Sequence, residues 1–182
     1  MPTQIIIFYF YRLILPFSMK ISNKISKSEY IGLMFLLTYR KPATIILTIA
    51  GGIMLLFILS FLAGHKEANS SPITQVFFGV GTLVFLPLSV YISSNKAYKA
   101  SRVLQEELVY EFTNDKMIIT GTGINAERSL DNIYKIREFK NWFLIYENDK
   151  AANLIYKKRI PAGELAELRG ILQDIPTIEL NR

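Results

Sequence analysis

Two stretches of the chain run 21 residues without a charge, Ala43–Ala63 and Ile73–Ser93. As helices, at 1.5 Å per residue, each would cover about 31 Å, close to the thickness of a bilayer's hydrocarbon core. Pro87 in the second stretch would break a soluble helix interior, but a membrane span tolerates it, usually with a kink. The pattern predicts a transmembrane hairpin over residues 43–93, with spans at 43–63 and 73–93 and a short connector, 64–72.

Beyond the second stretch a helix continues through "SNKAYKASRVLQ", and the period then changes to two. Leu108, Tyr110 and Phe112 alternate with Glu107, Val109 and Glu111, and "KMIIT" follows the turn dipeptide Asn114-Asp115. Further strands are predicted at "INAERSL", "IYKIREF", "WFLIYEN" and "ANLIYKK", with Asn141, Asn148 and Asp149 marking turns. Gly121 and Gly123 follow a strand but open no helix, so they are not a phosphate loop. Leu165, Leu168, Ile171 and Leu172 fall on one helical face, which Pro176 closes. Residues 94–182 thus read as antiparallel strands with one C-terminal helix, the outline of a pleckstrin-homology-like (PH-like) domain. The fold class expected is membrane α+β, a two-helix transmembrane hairpin plus this cytosolic domain.

Ahead of the hairpin, residues 1–18 hold an apolar run interrupted by Arg12 and Pro16. It is too short for a span and lacks the marks of a signal peptide. It reads as an upstream extension, with an ordinary start at Met19, or as an interfacial segment. Residues 19–42 read as an N-terminal amphipathic segment. Ser26 and Glu29 have capping-box spacing, and Tyr30, Leu33, Met34 and Leu37 share a helical stripe. That stripe would lie on the inner leaflet or pack on the cytosolic domain.

Charge sets the orientation. Residues 1–102 carry ten Lys or Arg and two acids, net +8, whereas residues 103–182 carry eleven and thirteen, net −2. Lys20, Lys24, Lys27, Arg40 and Lys41 precede the first span, and Lys96, Lys99 and Arg102 follow the second. The positive-inside rule places both termini in the cytoplasm and the connector outside. The expected location is the cell (inner) membrane, multi-pass. A nucleic-acid partner is not expected, because basic charge would then sit on the folded domain. The chain has no Cys, which removes disulfides, thiolate nucleophiles and iron–sulfur or zinc–thiolate sites. Its one histidine, His65, falls in the external connector. No catalytic residue, metal site or cofactor is expected. Asn69-Ser70-Ser71 fits the glycosylation pattern but hugs the membrane and reads as chance.

Two sets of residues are candidates for contacts. Gly51 and Gly52 could face Gly79 and Gly81 at similar depth, letting the helices approach closely, or they are simply glycines common in spans. Lys157, Lys158 and Arg159 run into Pro161 and a helix start. As a strand they would send Lys157 and Arg159 to one face and Lys158 to the other. They read as an anion or lipid-headgroup site beside the helix N-terminus or as a charged edge strand that resists pairing. Lys135, Arg137 and Lys140 alternate with apolar positions and read as a solvated sheet face, with Trp142, Phe143 and Tyr146 in the core.

The segment "LQEELVYEFTNDKMIITG" and then "LDNIYKIREFKNWFLIYENDKAANLIYKKRIPAGELAELRGIL" resembles the C-terminal domain of the YcxB-like family of bacterial membrane proteins. The resemblance rests on Glu111-Phe112-Thr113, Asp131 to Lys135, Phe143 to Tyr146 and Ile155 to Arg159. Leu130 stands where that family tends to carry Trp. The resemblance implies two spans with a cytosolic domain and no particular activity. The function expected is a non-enzymatic integral membrane protein whose PH-like domain binds a protein partner or the anionic lipid surface. The alternatives are an accessory subunit of a membrane transport or envelope-stress complex, and a membrane-bound enzyme. The partners expected are the bilayer, anionic headgroups, and a membrane or cytosolic protein.

Overall fold

The computed structural model describes residues 18–64, 72–173, 175 and 178–180. The expectations for residues 1–17, His65 and Asn69-Ser70-Ser71 lie outside them. The chain forms two compact units. One is Ser26–Ser101, and the other joins Met1–Ile25 to Arg102–Arg182.

The helical unit begins at α1 (Lys27–Tyr39), opened by the expected capping box. Glu29 N donates to Ser26 Oγ at 3.4 Å and Ser26 N donates to Glu29 Oε2 at 2.7 Å. Leu33 is fully buried on this helix. Next comes α2 (Pro42–Leu62), with Pro42 at its first position, where a missing N–H costs nothing. α3 (Pro72–Val80) runs through a π-helical turn, Gly81–Phe85, into α4 (Leu86–Ala100). The cause is local. Pro87 has no N–H for the carbonyl of Leu83, and the turn before it widens to the i→i+5 pattern. Thr82 Oγ1 donates to the Phe78 carbonyl at 2.7 Å inside this turn. α1 packs on α4, with the Tyr30 and Tyr98 rings 5.9 Å apart, so its stripe covers a helix of its own unit. Pro42–Leu62 and Ile73–Ala100 are long and apolar enough to cross a membrane. Helical geometry stops at Ser101, which is extended, and a short turn, α5 (Arg102–Gln105), follows.

The sheet unit contains two four-stranded sheets. The first has β1 (Ser18–Lys24), β2 (Glu107–Thr113), β3 (Lys116–Thr120) and β4 (Asn125–Ser129) in that order. The second is ordered β7 (Ala152–Tyr156), β6 (Trp142–Tyr146), β5 (Lys135–Phe139), β8 (Ile178–Leu180). The helix α6 (Ala162–Gln173) precedes β8.

Three sequence expectations are corrected here. Residues 19–42 are not one amphipathic segment, because Ser18–Lys24 is a strand of the sheet unit. It pairs antiparallel with β2 from Ser18↔Thr113 to Lys24↔Glu107. Met19, Ile21 and Asn23 point inward and the residues between them outward, as a half-buried strand requires. The helical unit is therefore inserted between two paired strands. Second, the helix does not end the domain and the strands are not all antiparallel. β8 follows α6 and pairs parallel with β5. Parallel neighbours cannot be joined by a tight turn, and here β6, β7 and α6 supply the return. Third, Lys157–Arg159 is a 3-10 turn, not a strand end.

The core joins both sheets to α6. Phe112, Met117 and Ile119 meet Ile136, Phe143, Ile145 and Ile155, and Leu168, Ile171 and Leu172 complete the cluster. Burying each such side chain contributes about 1.5–3 kcal/mol.

Candidate functional site

Both covalent links to the helical unit leave the sheet unit from one end of the β1–β2 pair, where Lys24 lies opposite Glu107. The basic triplet comes to the same end. Lys157 N donates to the Asn141 carbonyl at 2.9 Å, tying the 3-10 turn to the β5–β6 connection, and Ile160 N closes it onto the Lys157 carbonyl at 3.1 Å. Three residues per turn send successive side chains in three directions. The triplet is therefore no single cluster.

Lys157 turns inward. Its Nζ lies 2.8 Å from Glu138 Oε1 and 4.8 Å from the centre of the Phe143 ring. Arg169 of α6 approaches the same oxygen, Nη2 at 2.6 Å and Nε at 3.2 Å. Burial works against the Glu138 charge, but the hydrogen bonds from Arg169 and Lys157 outweigh it and hold the carboxyl below its ordinary range. Lys157 is thus part of a packed charge cluster joining β5, the 3-10 turn and α6. It has no charge to offer a ligand, which corrects its place in the expected anion site.

Arg159 stays exposed, donates to the Lys24 carbonyl and stands 6.0 Å from the Tyr156 ring centre. Lys158 is exposed. Tyr156 in turn packs on Trp142, ring centres 4.8 Å apart. The hydrogen bond to residue 24 and the tie to Asn141 bring two more exposed cations, Lys24 and Lys140, to this end. Glu107 is the facing acid, and it accepts from the Ser22 hydroxyl. The sequence pattern missed Lys24 and Lys140, because nothing local places them beside residues 158–159. The neighbouring cations of β5, Lys135 and Arg137, are engaged with rings. Lys135 Nζ lies 5.4 and 5.1 Å from the Tyr134 and Tyr146 ring centres, and the Arg137 guanidinium lies 5.3 Å from Phe139. Among the described residues, no three His, Asp or Glu side chains converge to hold a metal ion.

The four glycines divide into two kinds. A Cβ on Gly51 would stand 3.1 Å from Thr82 Cβ, and one on Gly79 would stand 3.3 Å from Leu55 Cδ2 and 3.4 Å from the Gly51 carbonyl. These two form the closest part of the α2–α3 seam. Gly52 and Gly81 meet nothing within 4 Å.

Residues 112–172 match the YcxB-like protein family. No curated protein and no solved structure matches the chain. The YcxB-like segment holds the Glu138–Lys157–Arg169 cluster together with Lys140, Lys158 and Arg159. Lys24, the strand β1 and the glycine seam lie outside it.

Proposed function

We propose that the chain is a non-enzymatic membrane protein. α2 and the α3–α4 helix span the cell (inner) membrane, both termini are cytoplasmic, and the sheet unit is a PH-like domain. That domain's working surface is the end carrying Lys24, Lys140, Lys158 and Arg159, and its partner is the anionic headgroup layer. The observation that carries this reading is the gathering of four exposed cations where both links to the apolar helices leave the domain, in a unit whose sequence is otherwise mildly acidic. Each cation near an anionic leaflet contributes about 1 kcal/mol. That is weak for a free protein, but it is enough to orient one held at high effective concentration.

The test is the full chain in nanodiscs of neutral or anionic lipid carrying a headgroup spin label. Anionic lipid should broaden the amide signals of Lys24 and Lys158, and high salt should reverse the effect. The combined change Lys24→Gln, Lys140→Gln and Lys158→Gln should abolish it with the fold intact. Equal broadening in neutral and anionic discs would overturn the reading.

A second reading, an accessory subunit of a membrane transport or envelope-stress complex, is favoured by Gly52 and Gly81. Their open flanks would let a helix of another protein approach closely. Under it, Gly52→Leu with Gly81→Leu removes a co-purifying membrane partner.

A further inference from the structure

A cavity of about 60 Å³ lies inside the sheet unit where β1, β2 and β7 meet. Its walls include Ile25 and Leu104, the residues through which the chain leaves for the helices, with Leu108 and Leu154. Asn23 and Tyr110 also line it, and both are buried, Asn23 to 3 % exposure. The Asn23 amide donates through Nδ2 to the Leu154 carbonyl at 3.0 Å, and the Tyr110 hydroxyl reaches the same carbonyl at 3.4 Å. This bonding fixes the orientation of the Asn23 amide, since the reverse would set two oxygens against each other. The other end of that amide, Oδ1, is buried and accepts no hydrogen bond among the described residues. A buried amide oxygen normally has a partner, and leaving it dry costs as much as losing a hydrogen bond. Asn23 also stands in the inward alternation after Met19 and Ile21, where an apolar residue would pack without any such cost.

We propose that this cavity is a binding site for a small neutral hydroxyl donor that bonds Asn23 Oδ1. The volume admits about two waters at ~30 Å³ each, or a short alcohol of similar size. Asn153 and the Glu106 carboxylate also line the cavity, and beside that carboxylate and the apolar remainder of the wall an anion is disfavoured. Burial pushes the Tyr110 hydroxyl well above its ordinary pKa, so it stays neutral and offers its own oxygen as a second acceptor. An occupant would bridge β1 and β2 beside their joint with β7, at the root of both links. The site is independent of the cationic surface and goes beyond the anchoring role.

The experiment uses the full chain in detergent micelles, with water-selective NMR transfer and an ethanol titration as its two probes. Resident water predicts a cross-peak from water to the Asn23 side-chain amide. An alcohol occupant predicts saturable shifts at Asn23, Leu104 and Tyr110 with loss of that water cross-peak. Leu104→Phe fills the cavity and should remove either signal while the remaining spectrum is unchanged. If that variant does not fold, Ala152→Leu fills the same space from β7 and replaces it. A folded wild-type chain with neither signal overturns the proposal, as does a signal that survives in a folded filled-cavity variant.

Discussion

In the sheet unit Phe112, Phe143 and Leu168 are wholly out of solvent, whereas in the helical unit Leu62, Ile73 and Phe77 are 74, 80 and 74 % exposed. The residue types are the same in both. β1, β2 and β3 alternate, so one face can close over a core and the other can face water. α2 and α3 carry no charge and are mostly apolar, and beyond the seam at Gly51 and Gly79 they bury little besides Thr44 and Gln75. One unit encloses its apolar side chains in a core, and the other presents them on its surface. Polar groups follow the same division. In the sheet unit the buried Lys157 is paired with the half-buried Glu138, which also holds Arg169. The long helices have no charge between Pro42 and Leu62 at all.

The largest test of this contrast is to separate the units. Replacing residues 26–101 by a short Gly/Ser linker should yield a soluble, folded sheet unit, because β1 and β2 already pair antiparallel. The same protein without Ser18–Lys24 should fail to fold, losing Met19 and Ile21 from the core along with the cover of the β2 edge. Amide spectra and size exclusion distinguish the outcomes, and a folded domain lacking β1 would break the comparison.

Next in size is Glu138→Gln, which leaves Lys157 buried beside a neutral group and should cost roughly 2–3 kcal/mol by denaturant unfolding at neutral pH. The pH dependence has a definite sign. A carboxyl held below its ordinary value of 4.5 contributes stability above that pH and loses it as pH falls through the lower folded value. Stability of Glu138→Gln should therefore fall less on acidification below pH 4.5 than that of the parent.

Much of this was legible in the sequence. The two long apolar helices announced themselves by length without charge, and β2 to β7 and α6 by their periods. The capping box at Ser26 worked because its two bonds are local. What escaped depended on distant chain. The alternation Met19, Ile21, Asn23, Ile25 was visible, but a polar residue at a buried position disguised it, and its partner strand lies on the far side of the helices. Glu138 and Arg169 carry no local sign that they meet over Lys157. Thus the triplet looked like one surface, although a 3-10 turn divides it.

Two smaller effects sharpen the contrast. Gly79→Leu should cost about 1–3 kcal/mol of hairpin packing, seen as a longer distance between spin labels on α2 and α3. Gly52→Leu should change it little. Smallest is Lys158→Ala, expected to alter folding stability by less than about 0.5 kcal/mol, while Lys157→Ala should be plainly destabilising in the same assay.

The pairing of β1 with β2 also orders events in time. Ser22 and Glu107, which share a hydrogen bond across that pair, are 85 residues apart in the chain. At a synthesis rate of about 5–20 residues per second, β1 waits roughly 4–17 s for its partner to be made. During that interval both apolar helices emerge from the ribosome. Folding of the helical unit therefore has a head start over closure of the sheet, and a completed β1–β2 ladder certifies that every residue between them has already been synthesised.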